Sequence, residues 1–136
     1  MSSTNTLINH IVRDRLKQIA PDEYAKCVAL TEPMIADVSY IPIVALLLGD
    51  KYKGTGNDLV FMIAVMHRIF FPYKNHYQNL KLGIGLPQVI QAAFGLNHRE
   101  LYNHYAKYII PAYKGERYRQ RVEDEALSIL NQLNNN

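Results

Sequence analysis

The sequence predicts an all-α fold, a single domain of six or seven helices over residues 1–136. Three observations carry this expectation. Apolar residues recur at three- and four-residue intervals over most of the chain, the period of a helix with one buried face. No stretch alternates in the manner of a strand. Prolines and glycines fall mostly between the apolar runs, where helices start and stop. A chain of this length can enclose one hydrophobic core. The expected organisation is a set of N-terminal helices in 1–56, a central helical core in 57–110 and a C-terminal helix in 116–133.

Taken in order, Ile8, Ile11, Val12, Leu16 and Ile19 share one helical face while Arg13, Asp14 and Lys17 take the other, so the first helix is amphipathic. Pro21 fits the first turn of a second helix, with Asp22 and Glu23 beside the positive end of its dipole and Val28 and Leu30 inside. Pro33 breaks it. The run YIPIVALLLGD reads as a short buried helix ending at Gly49, and KYKGTGND as an exposed loop. Asn57 or Asp58 can cap the next helix, which runs through Phe71, is apolar on nearly all sides and is expected at the centre of the core.

Beyond Pro72, YKNHYQNLKLGIG reads as a basic connector able to hold a short helical turn. Pro87 opens a helix whose inward face is Val89 or Ile90 with Ala93 and Phe94. Gly95 matches the left-handed position that ends helices, because it lacks the Cβ that makes this conformation costly. Asn97 caps a further helix to about Ile109, with Leu101, Tyr105 and Tyr108 inward. The last helix starts near Glu116 and buries Tyr118, Val122, Ala126, Ile129 and Leu133, leaving a frayed Asn-rich end.

Charge is distributed unevenly. Residues 1–72 carry seven basic and seven acidic side chains, whereas residues 73–121 carry eight basic and two acidic, a local excess of +6. Seven of the ten tyrosines and three of the five histidines fall in the same stretch. Basic residues interleaved with aromatic and amide groups suit a polyanion, since phosphates supply charge and base edges supply hydrogen-bond partners. The longest apolar run, Leu59 to Phe71, is interrupted by His67 and Arg68 and falls short of the roughly 20 residues of a membrane span. No membrane association is expected. The N-terminus lacks the pattern of a secretion signal, and Cys27 is the only cysteine, so a cytoplasmic location is expected.

A helix, a short turn with glycine and a second helix form the arrangement in which the second helix can enter the major groove. Ile90, Phe94, Leu96, Leu101 and Tyr105 fill the apolar positions of that helix-turn-helix pattern, while Gln91 stands where a small residue is usual. With Leu101, Tyr105 and Tyr108 inward, Arg99, Tyr102, Asn103 and Ala106 face outward as candidate base readers, flanked by Asn97, His98, His104 and Lys107. Arginine can bond guanine O6 and N7 together, asparagine can do the same to adenine N6 and N7, and alanine can touch a thymine methyl. Lys74, Lys81, Lys114, Arg117, Arg119 and Arg121 are the candidate phosphate contacts.

The stretch LPQVIQAAFG, after the apolar helix LVFMIAVMHRIFF and a basic connector, resembles the DNA-binding C-terminal domain of bacterial replication initiators, a Trp-repressor-like helical fold. The likeness covers roughly residues 57–110. It implies the scaffold and a duplex-binding mode. That family follows its Phe-Gly with a glycine and an Arg-Asp-His-Thr-Thr motif that contacts DNA; here Phe94 and Gly95 are followed by Leu96, Asn97, His98, Arg99, Glu100 and Leu101. The basic residue and the histidine stand in a different order and the threonines are absent, so no origin-sequence specificity carries over.

No enzyme, cofactor, metal site or small-molecule substrate is expected. GDKYKGTG lacks the Lys-Ser/Thr ending of a phosphate-binding loop, and LGIGLP is an incomplete glycine fingerprint in a helical context. His98 and His104 lie on different helix faces, which disfavours a zinc pair. His67 reads as a core histidine and Cys27 as a small buried residue. The expected function is sequence-specific binding of double-stranded DNA by a small transcriptional or replication regulator, acting as a homodimer through its first or last helix. The competing class is a helical interaction module whose basic Tyr-rich face meets an acidic protein partner.

Overall fold

The computed structural model describes residues 3–77 and 80–135, without the side chains of 3–5, 105 and 106. Among the described residues the regular structure is entirely helical, in keeping with the all-α expectation. Among the described residues seven α-helices longer than one turn follow in order: α1 Ser3–Ile19, α2 Pro21–Ala29, α3 Ile41–Gly49, α4 Gly56–Phe70, α5 Leu86–Phe94, α6 His98–His104 and α7 Glu116–Asn134. The chain divides into two units, one ending at Glu32 and one beginning at Pro33. Each is described by itself.

The first unit is the α1–α2 pair. Pro21 occupies the first turn of α2, with Asp22 and Glu23 beside it as the dipole favours. Lys17 lies over the Tyr24 ring, 5.0 Å from its centroid. No residue of α2 is buried, and Val28 and Leu30 are only half-buried. Cys27 is exposed, which corrects its expected burial: two short helices have no interior to receive it. Leu7, Ile8, Ile11, Val12 and Ile19 are exposed as well.

The second unit is built on α4. Leu59 through His67, together with Ile69 and Phe70, are buried, leaving Arg68 as the one interruption in that run. Each aliphatic side chain so enclosed contributes roughly 1.5–3 kcal/mol relative to exposure. α7 packs along α4 with Val122, Ala126 and Ile129 fully enclosed, as its periodicity predicts, and Tyr118 and Leu133 partly so. Arg68 reaches Glu123 of α7 through two parallel contacts, Nε to Oε2 at 2.5 Å and Nη2 to Oε1 at 3.0 Å. This two-point geometry fixes the register of the two helices as well as pairing the charges. Lys51, in the loop after α3, holds α7 from the other side by pairing with Glu125 at 3.0 Å and donating to Ser128 Oγ at 3.2 Å.

α3 buries Ile41, Val44 and Leu48, whereas Leu46 and Ile43 are exposed, so it presents one face to the core rather than lying wholly inside. α4 begins at Gly56 with Thr55 at its cap position, two residues before the expected start. The Asp58 carboxylate instead accepts from the Lys53 N–H at 3.1 Å and closes the preceding loop. At the other end, the Ile69 carbonyl accepts from Met34 N at 2.8 Å and from Ile35 N at 3.3 Å, so the segment after Pro33 satisfies a carbonyl that the helix end leaves without an internal donor. Pro72 opens a short 3₁₀ turn, Pro72–Asn75, which is the helical turn foreseen in the connector.

Between α5 and α6, Gly95 adopts φ 66°, ψ 34°, the left-handed conformation expected of it, and Leu96 N donates back to the Gln91 carbonyl at 2.9 Å. Ile90, not Val89, is the residue α5 buries. A Cβ at position 95 would meet no neighbouring atom, so the cost of a side chain there is confined to the backbone. Gly95→Ala is expected to destabilise the protein by about 1–2 kcal/mol. Gly49→Ala, at a position with equal space and no positive φ, serves as the control and should leave the chemical-denaturation midpoint nearly unchanged. Equal midpoints for the two variants would refute the backbone argument.

Candidate nucleic-acid interface

α5 and α6 are joined by a short turn over residues 95–97. Ile90 and Leu101 are buried at 0% and 2% exposure, and Phe94 and Leu96 pack half-buried against the same core. The side chain of Tyr105, the fifth expected apolar position, lies outside the described residues. Asn97 begins α6 as predicted: its Oδ1 accepts from Glu100 N at 2.8 Å, while Glu100 Oε1 accepts from Asn97 N at 3.1 Å. This reciprocal pair satisfies two helix-start donors and fixes the direction in which α6 leaves the turn. It also occupies the Asn97 side chain, which was expected to flank a duplex.

Arg99 is exposed, Tyr102 is 49% exposed and Asn103 is half-buried. Their i, i+3, i+4 spacing on α6 places the three on one face. His98 is exposed at the start of the helix. The side chain of Ala106, the fourth expected base reader, lies outside the described residues. His104 is half-buried, its ring edge-on to Tyr108 at 5.7 Å, and burial holds its pKa below the usual histidine value against the opposing pull of Glu100.

The regular helix stops at His104. Tyr105–Ile109 form a π turn, and one further helical turn, Ile110–Ala112, carries Pro111. Proline lacks the N–H that would bond the carbonyl four residues back and clashes with it; a wider turn before Pro111 relieves both. One additional residue in the turn moves the inward position along by one. Hence Ile109 is fully buried and Tyr108 is 50% exposed, which corrects the expectation that Tyr108 faces the core and that the helix ends before Pro111. Pro111, four residues after Lys107, was the signal for this departure.

The six candidate phosphate contacts separate into groups. Lys81, Lys114, Arg117 and Arg121 are exposed, with Arg117 and Arg121 one turn apart on α7. Arg119 is half-buried and its Nη1 donates to the carbonyls of Tyr113 and Lys114 at 2.9 and 3.0 Å, which fastens the turn before α7. Lys74 is the clear correction. It is 6% exposed, with Nζ donating to the Leu80 carbonyl at 3.0 Å, because the 3₁₀ turn after Pro72 carries it inward; burial lowers its pKa. It anchors the connector and leaves no surface for a phosphate. Lys107 is exposed on the π turn.

His67 and Asn75 are both fully buried. Asn75 Nδ2 donates to the Ala64 carbonyl at 2.9 Å. Burial, with the Lys74 charge adding to it, drives the pKa of His67 down to about 3, so the ring is neutral at physiological pH, as a core histidine should be. Among the described residues no cluster of His, Cys, Asp or Glu is arranged to hold a metal ion, and no helix is long and apolar enough to cross a membrane. Comparison with protein-family models, with curated proteins and with solved structures finds no match to this chain.

The histidines set a pH response. His67, His76 and His104 all have folded-state pKa values below the unfolded value, burial being the main cause in each, so the unfolded chain binds more protons as pH falls below about 6.5. Stability is therefore full above that pH and declines on acidification, by at most about 1.4 kcal/mol per pH unit for each histidine. Thermal melts between pH 7 and pH 5 should show a falling midpoint, and His67→Gln should flatten the trend. A midpoint independent of pH over this window would contradict the burial of His67.

Proposed function

We propose that this protein binds double-stranded DNA through the α5–turn–α6 unit, with Arg99, Tyr102 and Asn103 toward base edges and Lys81, Lys107, Lys114, Arg117 and Arg121 toward phosphates. The observation that carries the reading is the α6 start. Left-handed Gly95 and the Asn97–Glu100 pair orient a helix whose Leu101 is fixed in the core while Arg99 stays in solvent. The local excess of basic residues in 73–121 supports it. Base reading is concentrated in the first two turns of α6, because the π turn changes the helical frame beyond His104.

Two-fold pairing would set two such helices about 34 Å apart along a duplex. The exposed apolar residues of α1 make that helix the preferred dimer surface. A small transcriptional or replication regulator is the role this architecture suits. The second reading, an acidic protein partner, draws support from the exposed tyrosines Tyr102 and Tyr108 on the same basic stretch.

Fluorescence-anisotropy titration with mixed-sequence duplex tests the first reading. Four or five phosphate contacts predict a loss of affinity on the order of 100-fold between about 50 and 200 mM salt. Arg99→Ala combined with Asn103→Ala should reduce discrimination between duplexes and weaken the tightest by roughly 10-fold or more. Duplex binding that the double variant leaves intact removes α6 as the reading element. Absence of duplex binding at low salt leaves the acidic-partner reading.

A further inference from the structure

A cavity of about 370 Å³ lies beside the π turn, and duplex binding draws on only two of its lining side chains, Lys107 and Arg121. Four elements line it: Asp58 and Phe61 come from α4, Lys107 and Tyr108 from the π turn, Ala112 from the helical turn after it, and Tyr118 and Arg121 from α7. Its volume lies in the range of small-molecule sites. Phe61 and Tyr118 meet edge to face at 6.0 Å and 87°, and with Tyr108 they supply aromatic surface.

The cavity also gathers positive charge. Lys107 and Arg121 arrive from different elements, and among the described residues neither has a carboxylate within ion-pair distance. Arg121 rests over the Phe61 ring with its guanidinium carbon 4.8 Å from the centroid, an interaction weak enough at an exposed position to yield to an anion. Asp58, the acidic member of the wall, already accepts the Lys53 N–H. The π turn brings Lys107 and Tyr108 together at the wall, and such turns recur at functional sites.

The geometry points to a binding site for a small planar organic anion, its carboxylate or phosphate held by Lys107 and Arg121 and its ring against Phe61, Tyr108 and Tyr118. The site stands independently of the DNA reading. Where duplex binding holds, such an anion competes with a backbone phosphate for the same two cations.

The test is an amide-resolved NMR titration of the full chain with benzoate and, in parallel, with neutral benzamide. Benzoate, a probe of few atoms, should bind in the millimolar range and saturably shift the amides of Lys107, Tyr108, Tyr118 and Arg121. Benzamide, and benzoate on the Lys107→Gln/Arg121→Gln double variant, should each bind roughly tenfold more weakly or worse. Far-UV circular dichroism verifies that the variant keeps its helices. Arg99→Ala with Asn103→Ala should leave benzoate binding unchanged, which separates this site from the duplex reading. The proposal is overturned if benzoate gives no saturable shift up to about 50 mM, if benzamide binds equally well, or if the folded double variant binds benzoate as tightly as the parent chain.

Discussion

The second unit depends on the burial of α4 along almost its whole length. A helix that is apolar all round needs neighbours on every side, and α3, α7 and the π turn pack against it. Such packing is hydrophobic and by itself nondirectional. Direction comes from the exceptions: Arg68 pairs at two points with Glu123, Asn75 ties the 3₁₀ turn to the Ala64 carbonyl, and Lys51 binds α7 through Glu125 and Ser128. The few polar contacts around an apolar rod set where α7 and the connector lie, and with them where the basic side chains face.

Much of this was legible from spacing alone. The inward set of α7, the role of Pro21, the left-handed Gly95 and the cap at Asn97 each rest on a local rule, and local rules operate within one or two turns of chain. The departures arise where a distant contact or an adjacent constraint overrides periodicity. Lys74 reads as a surface cation until a 3₁₀ turn points it toward the Leu80 carbonyl. Tyr108 reads as a core residue until the π turn shifts the frame and Ile109 takes its place. Asp58 reads as a helix cap but closes a loop. Cys27 reads as a small buried residue, yet it belongs to a two-helix unit without an interior.

The candidate interface shows the same division. Arg99, Tyr102 and Asn103 follow from the α6 frame set by Asn97 and Glu100, so their common face was readable. The separate fates of the basic residues were not, because they depend on which carbonyls and rings lie nearby. Arg119 and Lys74 are held by backbone oxygens, while Lys107 and Arg121 converge on an aromatic-walled cavity that spacing gives no means to foresee. Charge counted along a sequence therefore overstates the charge available to a partner.

The contacts at the Ile69 carbonyl bear on where the chain can be shortened. Met34 and Ile35 both donate to it, so the last turn of the central helix is finished by residues that precede it by more than thirty positions. Removal of everything before Pro33 spares both donors; removal of five residues more strips the helix end of them and opens it to water. The limit to N-terminal trimming thus falls within a few residues, set by two amide hydrogens together with the Met34 and Ile35 side chains that pack against the core.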